Sequence, residues 1–155
     1  MDLDHKDQKL LMLLQENSRE QLKILANKIG LSIDSTKKRI QKLKEKGIID
    51  RFSIFINPKA IHHDIVVDIK IKLHNITEEG KKLFINYLIA HPNCIELISV
   101  SGDFDFTCVL ITKNTKELNN ISYNIRQKFK DIISDWVTSF NLEVHKFEHY
   151  NFEGL

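Results

Sequence analysis

Between Gly30 and Gly47 the chain reads GLSIDSTKKRIQKLKEKG, a helix-forming run closed at both ends by the residue that most readily stops a helix. Ser32 is placed to cap this helix and Asp34 lies in its first turn, where negative charge is favoured. On helical spacing Ile33, Thr36, Ile40 and Leu43 share one face. Asp34, Ser35, Lys38, Lys42 and Glu45 share the opposite one, and Lys37, Arg39, Lys44 and Lys46 lie on the flanks. A short helix with a narrow apolar stripe and a basic outer face has the dimensions and charge to enter the major groove of DNA. A solvated surface helix can have the same composition, so the neighbouring residues must discriminate.

The residues before Gly30 form two shorter helical patterns. Asp4 can cap the first, with Asp7 in its first turn and Leu10, Leu13 and Leu14 as its apolar stripe, ending near Asn17. Gln21 to Ile29 make the second, with Leu22, Leu25, Ala26 and Ile29 inward. Helix, helix, glycine turn, helix is the order of a helix-turn-helix. Ile48 to Ile56 alternate apolar and polar residues around Arg51 and Ser53, which predicts a short hairpin or wing.

Asn57-Pro58 reads as a linker, because proline forces extended backbone on the residue before it. Two domains are therefore expected, residues 1–59 and 60–155. Charge divides at the same place: residues 1–59 carry a net +5 and residues 60–155 a net −3, within an overall +2. A polyanion would dock on the first and not on the second. In the second domain Asp64 to Leu73 alternate strictly, with Ile65, Val67, Ile69, Ile71 and Leu73 on one face. Thr77 to Ala90 read as a helix with Leu83, Phe84, Tyr87 and Leu88 inward. Ile95 to Ser101 and Phe104 to Thr112 read as strands about a Gly102-Asp103 turn. Leu118, Ile121, Ile125 and Phe129 mark a helix, and Trp136 to Phe147 a last strand. The order βαββαβ is the ferredoxin-like arrangement, so the fold class is α+β: a winged helix-turn-helix followed by a ferredoxin-like domain.

The two cysteines, Cys94 and Cys108, have neither metal-knuckle nor redox-motif spacing and lie in apolar runs, which predicts buried free thiols in a reducing compartment. The opening MDLDHKD is not patterned as a secretory signal, and no apolar run approaches the ~20 residues of a membrane span. A soluble, cytoplasmic protein is expected.

With these elements in place, the chain resembles the Lrp/AsnC (feast/famine) family of prokaryotic transcription factors. The resemblance rests on LDHKDQKLLMLLQENSR at residues 3–19, LANKIGLS at residues 25–32, and Arg39-Ile40, Leu43, Gly47, Ile48 and Ile49. It continues at SGDFDF, residues 101–106, which is similar to the family's glycine-containing effector loop. It implies a winged helix-turn-helix hinged to a ligand-sensing domain, dimers formed through the C-terminal sheets that often assemble into tetramers or octamers, and an amino-acid effector bound between dimers.

The DNA-facing expectations follow. Ser35 and Lys38 are best placed for base edges, near the exposed N-terminal half of the helix. Asp34 either accepts from a cytosine amino group or stabilises the helix start, and Ser32 stands beside it. Lys37, Lys42, Lys44 and Lys46 suit phosphates. Arg39 contacts the backbone or pairs with a carboxylate across the motif. Gln21 and Lys23 are candidate backbone contacts from the second helix. A two-fold dimer on a roughly palindromic duplex would multiply the few bases one helix reads. For the sensor, residues 102–105 taken alone are a hairpin turn. The resemblance instead implies an effector site, with Gly102 giving close backbone approach, Asp103 beside it and Asp105 meeting an ammonium group. Thr138 or Ser139 would supply a hydroxyl. The sequence departs from the family after Pro58, where it reads Ile61-His62-His63-Asp64; adjacent histidines in extended chain point apart, so no metal site is expected.

Two rivals stand beside this reading. Siroheme decarboxylases resemble the same family, but the His, Arg, Asn and Trp-Phe expected of them are missing from Ile98 to Leu110. No nucleophile–base pair, carboxylate pair or phosphate-cradling glycine loop is recognisable, so no enzyme and no cofactor is expected. An effector-independent architectural DNA binder is disfavoured by the low overall charge.

Overall fold

The computed structural model describes residues 3–152. Its contacts divide the chain into two compact units. The first comprises residues up to 55 together with those from 145 onward, and the second is residues 56–144. The sequence boundary at 59 and 60 is a linear cut and carries no sign of the returning C-terminal segment.

In the first unit, helices α1 (His5–Glu16), α2 (Leu22–Ile29) and α3 (Ile33–Glu45) follow the expected caps. Asp4 accepts from the Asp7 N–H at 2.8 Å and Ser32 from the Ser35 N–H at 3.1 Å. Gly30 adopts φ +66°, and the Leu31 N–H returns to the Ala26 carbonyl at 2.9 Å, closing α2. Leu10, Leu11, Leu14, Leu25, Ile29 and Leu43 form the core, with Ile40, Ile48 and Phe152 packed against it. Thr36 is wholly buried, its hydroxyl donating to the Ser32 carbonyl at 2.9 Å. Ile33, expected inward, is 46% exposed. Helical side chains lean toward the N-terminus, so a first-turn residue overhangs the end of its helix.

The expected hairpin at residues 48–56 does not form. Residues 50–57 are irregular, with no ladder partner among the described residues, and Phe55 is 76% exposed. Alternation makes a strand only where a second backbone accepts its bonds. The Phe55 ring meets Phe147 edge-on at 5.4 Å. Nearby, the Gln15 side-chain amide binds the Tyr150 backbone at both ends: Nε2 donates to its carbonyl at 3.0 Å and Oε1 accepts from its N–H at 2.7 Å.

The second unit is a four-stranded sheet, β1 (Ile65–Leu73), β2 (Cys94–Ser99), β3 (Phe106–Thr112) and β4 (Ile133–Phe140), in the order β2-β3-β1-β4 with every pairing antiparallel. Helices α4 (Glu78–Ile89) and α5 (Thr115–Lys128) complete the ferredoxin-like order. Val67, Ile69 and Ile71 of β1, Phe106, Cys108 and Leu110 of β3, Phe84 and Leu88 of α4, and Leu118 and Ile125 of α5 make one core. Phe84 stands 5.7 Å from the Phe106 ring and 5.1 Å from Phe129.

Two boundaries move. Leu83, expected inward, is 64% exposed while Ile85 packs on the core, because the buried stripe of α4 is centred on Phe84 and Leu88. The last strand, expected over Trp136 to Phe147, runs Ile133–Phe140. Phe140 pairs with Val67 and the Asn141 N–H reaches the Val66 carbonyl, so β1 has almost no backbone left to pair a longer β4. Among the described residues no helix is long and apolar enough to cross a membrane. Phe84→Ala is expected to cost about 3–5 kcal/mol of unfolding free energy, read by urea titration, since it empties the centre of this core.

Candidate nucleic-acid interface and sensor loop

The outer face of α3 is built by what the inner face consumes. Thr36, Ile40 and Leu43 turn inward. Asp34, Ser35, Lys37, Lys38, Lys42 and Lys44 are all exposed. None of these lysines is ion-paired among the described residues, so their charge is available to a ligand. Ser32 is occupied by the cap: its oxygen accepts from the Ser35 N–H and its hydroxyl donates to Ser35 Oγ at 2.9 Å. Ser35 keeps its own proton for a further acceptor. Gln21 sits exposed at the start of α2 with no side-chain capping bond, and Lys23 is exposed two residues on.

Arg39 is the candidate that the geometry takes away from this surface. One guanidinium nitrogen, Nη1, donates to Asp4 Oδ2 and to Asp7 Oδ1, each at 2.7 Å. The arginine of the third helix is thereby tied to the cap and first turn of α1, which is the carboxylate pairing and not the backbone contact. Hydrogen bonds from Asp7 and then Asp4 raise the guanidinium further above its ordinary range. The Asp7 backbone N–H, with Arg39 beside it, holds the Asp4 carboxyl below its ordinary value. A second cation escaped the sequence reading: Lys6 Nζ donates to the Ile29 and Gly30 carbonyls, each at 3.0 Å, capping the C-terminus of α2. Only the folded arrangement brings Lys6 there, since 23 residues separate it from Ile29.

In the second unit, Gly102 and Asp103 are exposed in the turn between β2 and β3. Gly102 has φ +134°, a backbone region suited to glycine, with open space where a Cβ would stand. Asp105 holds the end of β1: its N–H donates to the Ile71 carbonyl at 3.0 Å and its Oδ2 accepts from the Leu73 N–H at 2.7 Å. The β1–β3 ladder ends at the Ile71–Phe106 pair, so the carboxylate serves a backbone donor just beyond the last residue of β3. Thr138 is exposed on β4 opposite Ile69. The hydroxyl of β4 and the loop carboxylate thus flank the same stretch of β1 from its two sides. His62 is exposed in a left-handed turn at φ +61°, and His63 Nδ1 lies 2.9 Å from the Ile61 carbonyl.

These residues were compared with known proteins. Residues 3–44 match the AsnC-type helix-turn-helix domain. The chain is 32% identical over 120 residues to the HTH-type transcriptional regulator FL11 of Pyrococcus furiosus, covering 76% of each chain. It superposes with a TM-score of 0.82 on an AsnC family transcriptional regulator from Agrobacterium tumefaciens, 28% identical, over 94% of both chains. The transcriptional regulator NMB0573 of Neisseria meningitidis, solved as a complex with L-Met, shares the fold at a TM-score of 0.85 and 19% identity, over 94% of both.

The clamp on Arg39 has an acid signature. Because the Asp4 carboxyl is depressed on folding, its contribution is fully present above the unfolded value near pH 4 and is lost as pH falls through the folded value. Asp4→Asn keeps a capping acceptor but not the charge. Urea titrations are expected to show wild type losing more stability than Asp4→Asn between about pH 5 and pH 2.5; parallel pH profiles would remove the pair from the account.

Proposed function

Because this chain belongs to the Lrp/AsnC family of helix-turn-helix transcriptional regulators, we propose that α3 reads an operator with Ser35 and Lys38 while Lys37, Lys42 and Lys44 hold phosphates. The observation that carries this reading is the division of labour on α3. Its one arginine is locked to α1, and its lysines stand exposed and unpaired on the outer face. Ser35 and Lys38 lie in the N-terminal half of the helix, the half that meets base edges when such a helix lies in the groove. Asp34 serves the helix start. Gln21 and Lys23 approach the backbone from α2.

The working species is a dimer on a roughly palindromic site in the cytoplasm. The sheet face away from α4 and α5 carries Val109, with Val137 and Ile98 exposed beside it, and this face accepts a second copy. The sensing reading places an amino acid at Gly102, Asp103, Asp105 and Thr138. It is supported by the open turn at Gly102, by the exposed second oxygen that a carboxylate at 105 keeps while its first serves Leu73, and by the L-Met bound to the Neisseria regulator of the same fold. The chain acts by binding, not catalysis.

Lys38→Ala is expected to weaken binding to the selected operator by about 1–3 kcal/mol and to relax sequence preference, whereas Lys42→Ala lowers the salt slope by about one unit at every sequence. Fluorescence anisotropy across salt concentrations separates the two, and identical slopes and affinities for both variants and wild type would sink the assignment. For the sensor, calorimetry against the twenty amino acids is expected to give heat with wild type and none with Asp105→Asn. That variant keeps an acceptor for the Leu73 N–H while losing the charge. Silence from wild type with every amino acid would leave the loop purely structural.

A further inference from the structure

Cys94 opens β2 and Cys108 lies within β3. Simple alternation does not bring them together, since Cys94 faces Leu110 and Leu97 faces Cys108. A register shift between Cys94 and Glu96 puts an extra residue in β2, so Cys94 and Leu97, three positions apart, both pack on the core face that carries Cys108. The two sulfurs end 3.5 Å apart. Cys108 is wholly buried and Cys94 only partly so, and both are free thiols. Both thiols are free as the sequence predicts, but the expectation that both are buried is corrected, since Cys94 is only partly covered, and the two touch.

We propose that Cys94 and Cys108 are an oxidation site that closes to a reversible intramolecular disulfide on reaction with a hydroperoxide. A disulfide needs the sulfurs at about 2.05 Å, so roughly 1.5 Å of approach separates the thiol pair from the bond. Cys94 sits at the end of β2, directly after the turn that leaves α4, where a strand can give most easily. The roles of the two sulfurs differ. The Cys108 S–H hydrogen bond holds the Cys94 thiol below its ordinary range, favouring the nucleophilic thiolate at the accessible position. Contact with Cys94 and then burial push Cys108 upward, keeping it a thiol until its partner is oxidised.

The chemistry balances in two steps. The Cys94 thiolate attacks the terminal peroxide oxygen; the O–O bond breaks, an alcohol or water leaves after taking a proton, and Cys94 becomes a sulfenic acid. Cys108 sulfur then attacks Cys94 sulfur. The S–S bond forms, the S–O bond breaks, and the departing hydroxyl takes the Cys108 proton to leave as water. Two electrons pass from the thiols to the peroxide, and a small thiol reverses the change by exchange. The bond would tie β2 to β3 in the hairpin whose tip carries Gly102 and Asp105. With only two cysteines in the chain, no other internal pairing competes.

The test treats the reduced full chain with graded hydrogen peroxide, quenches it with an alkylating agent under denaturing conditions, and reads intact mass and linked peptides. The expected result is loss of both alkylatable thiols, a mass lower by two hydrogens, a crosslinked peptide pair containing Cys94 and Cys108, no covalent dimer, and recovery with dithiothreitol. Cys108→Ala should stop at a Cys94 sulfenic acid that dimedone captures. Wild-type thiols that stay alkylatable, or a disulfide-linked dimer as the main product, would overturn the proposal. The wild-type peptide map decides the question even if the Cys108 variant folds poorly.

Discussion

One guanidinium ties the third helix to the start of the first. The helices of the first unit span 12, 8 and 13 residues, lengths at which an isolated helix is marginal in water. They hold shape only by packing, and their core is six aliphatic side chains. A core that small fixes which faces meet better than it fixes how one helix is rotated about its axis. Arg39 adds the missing constraint by bonding both the cap residue and a first-turn residue of α1 at 2.7 Å. An exposed ion pair contributes little free energy. Its value here is angular: a guanidinium presents its donors in one plane, which a lysine ammonium cannot do. Once α3 is fixed in rotation, the four lysines and Ser35 must point away from the core together.

Asp105 performs an equivalent service in the sheet. The β1–β3 ladder stops at Ile71 and Phe106, and the carboxylate of the residue just before β3 supplies a partner for the Leu73 N–H beyond it. The loop is thereby fastened to the strand it would otherwise only adjoin. A ligand that engaged the same carboxylate would act on the end of β1, which pairs on its other side with β4.

Much of this was legible in the sequence because it is written in local patterns. Caps at Asp4 and Ser32 and glycine stops at Gly30 and Gly47 act within a few residues, and the alternation of β1 states its buried face outright. What escaped is non-local. Lys6 on the α2 carbonyls and Asp105 on Leu73 each depend on residues far apart in the chain, and so does the choice of Asp4 and Asp7 by Arg39, which the sequence left open between carboxylate and DNA backbone. Residues 50–57 show the converse error, since an alternating pattern announces a willing strand but not the presence of a partner. The length of β4 was likewise set by where β1 ends and not by its own composition.

The pair of hydrogen bonds between the Gln15 amide and the Tyr150 backbone reaches across 135 positions of sequence. A side-chain amide here imitates a peptide group, and Phe152 lays its ring against the same helical core. The unit with the reading helix is therefore assembled from both ends of the described chain, with the ferredoxin-like unit inserted between them. Proteins are made from one end, at about 5–20 residues per second. The helices leave the ribosome before the sheet, yet part of their packing arrives only after the whole sheet has been synthesised. The surface that would engage DNA is thus complete only once the ferredoxin-like unit has been made, so a chain that stops within that unit carries the lysines without the C-terminal pieces of the core that supports them.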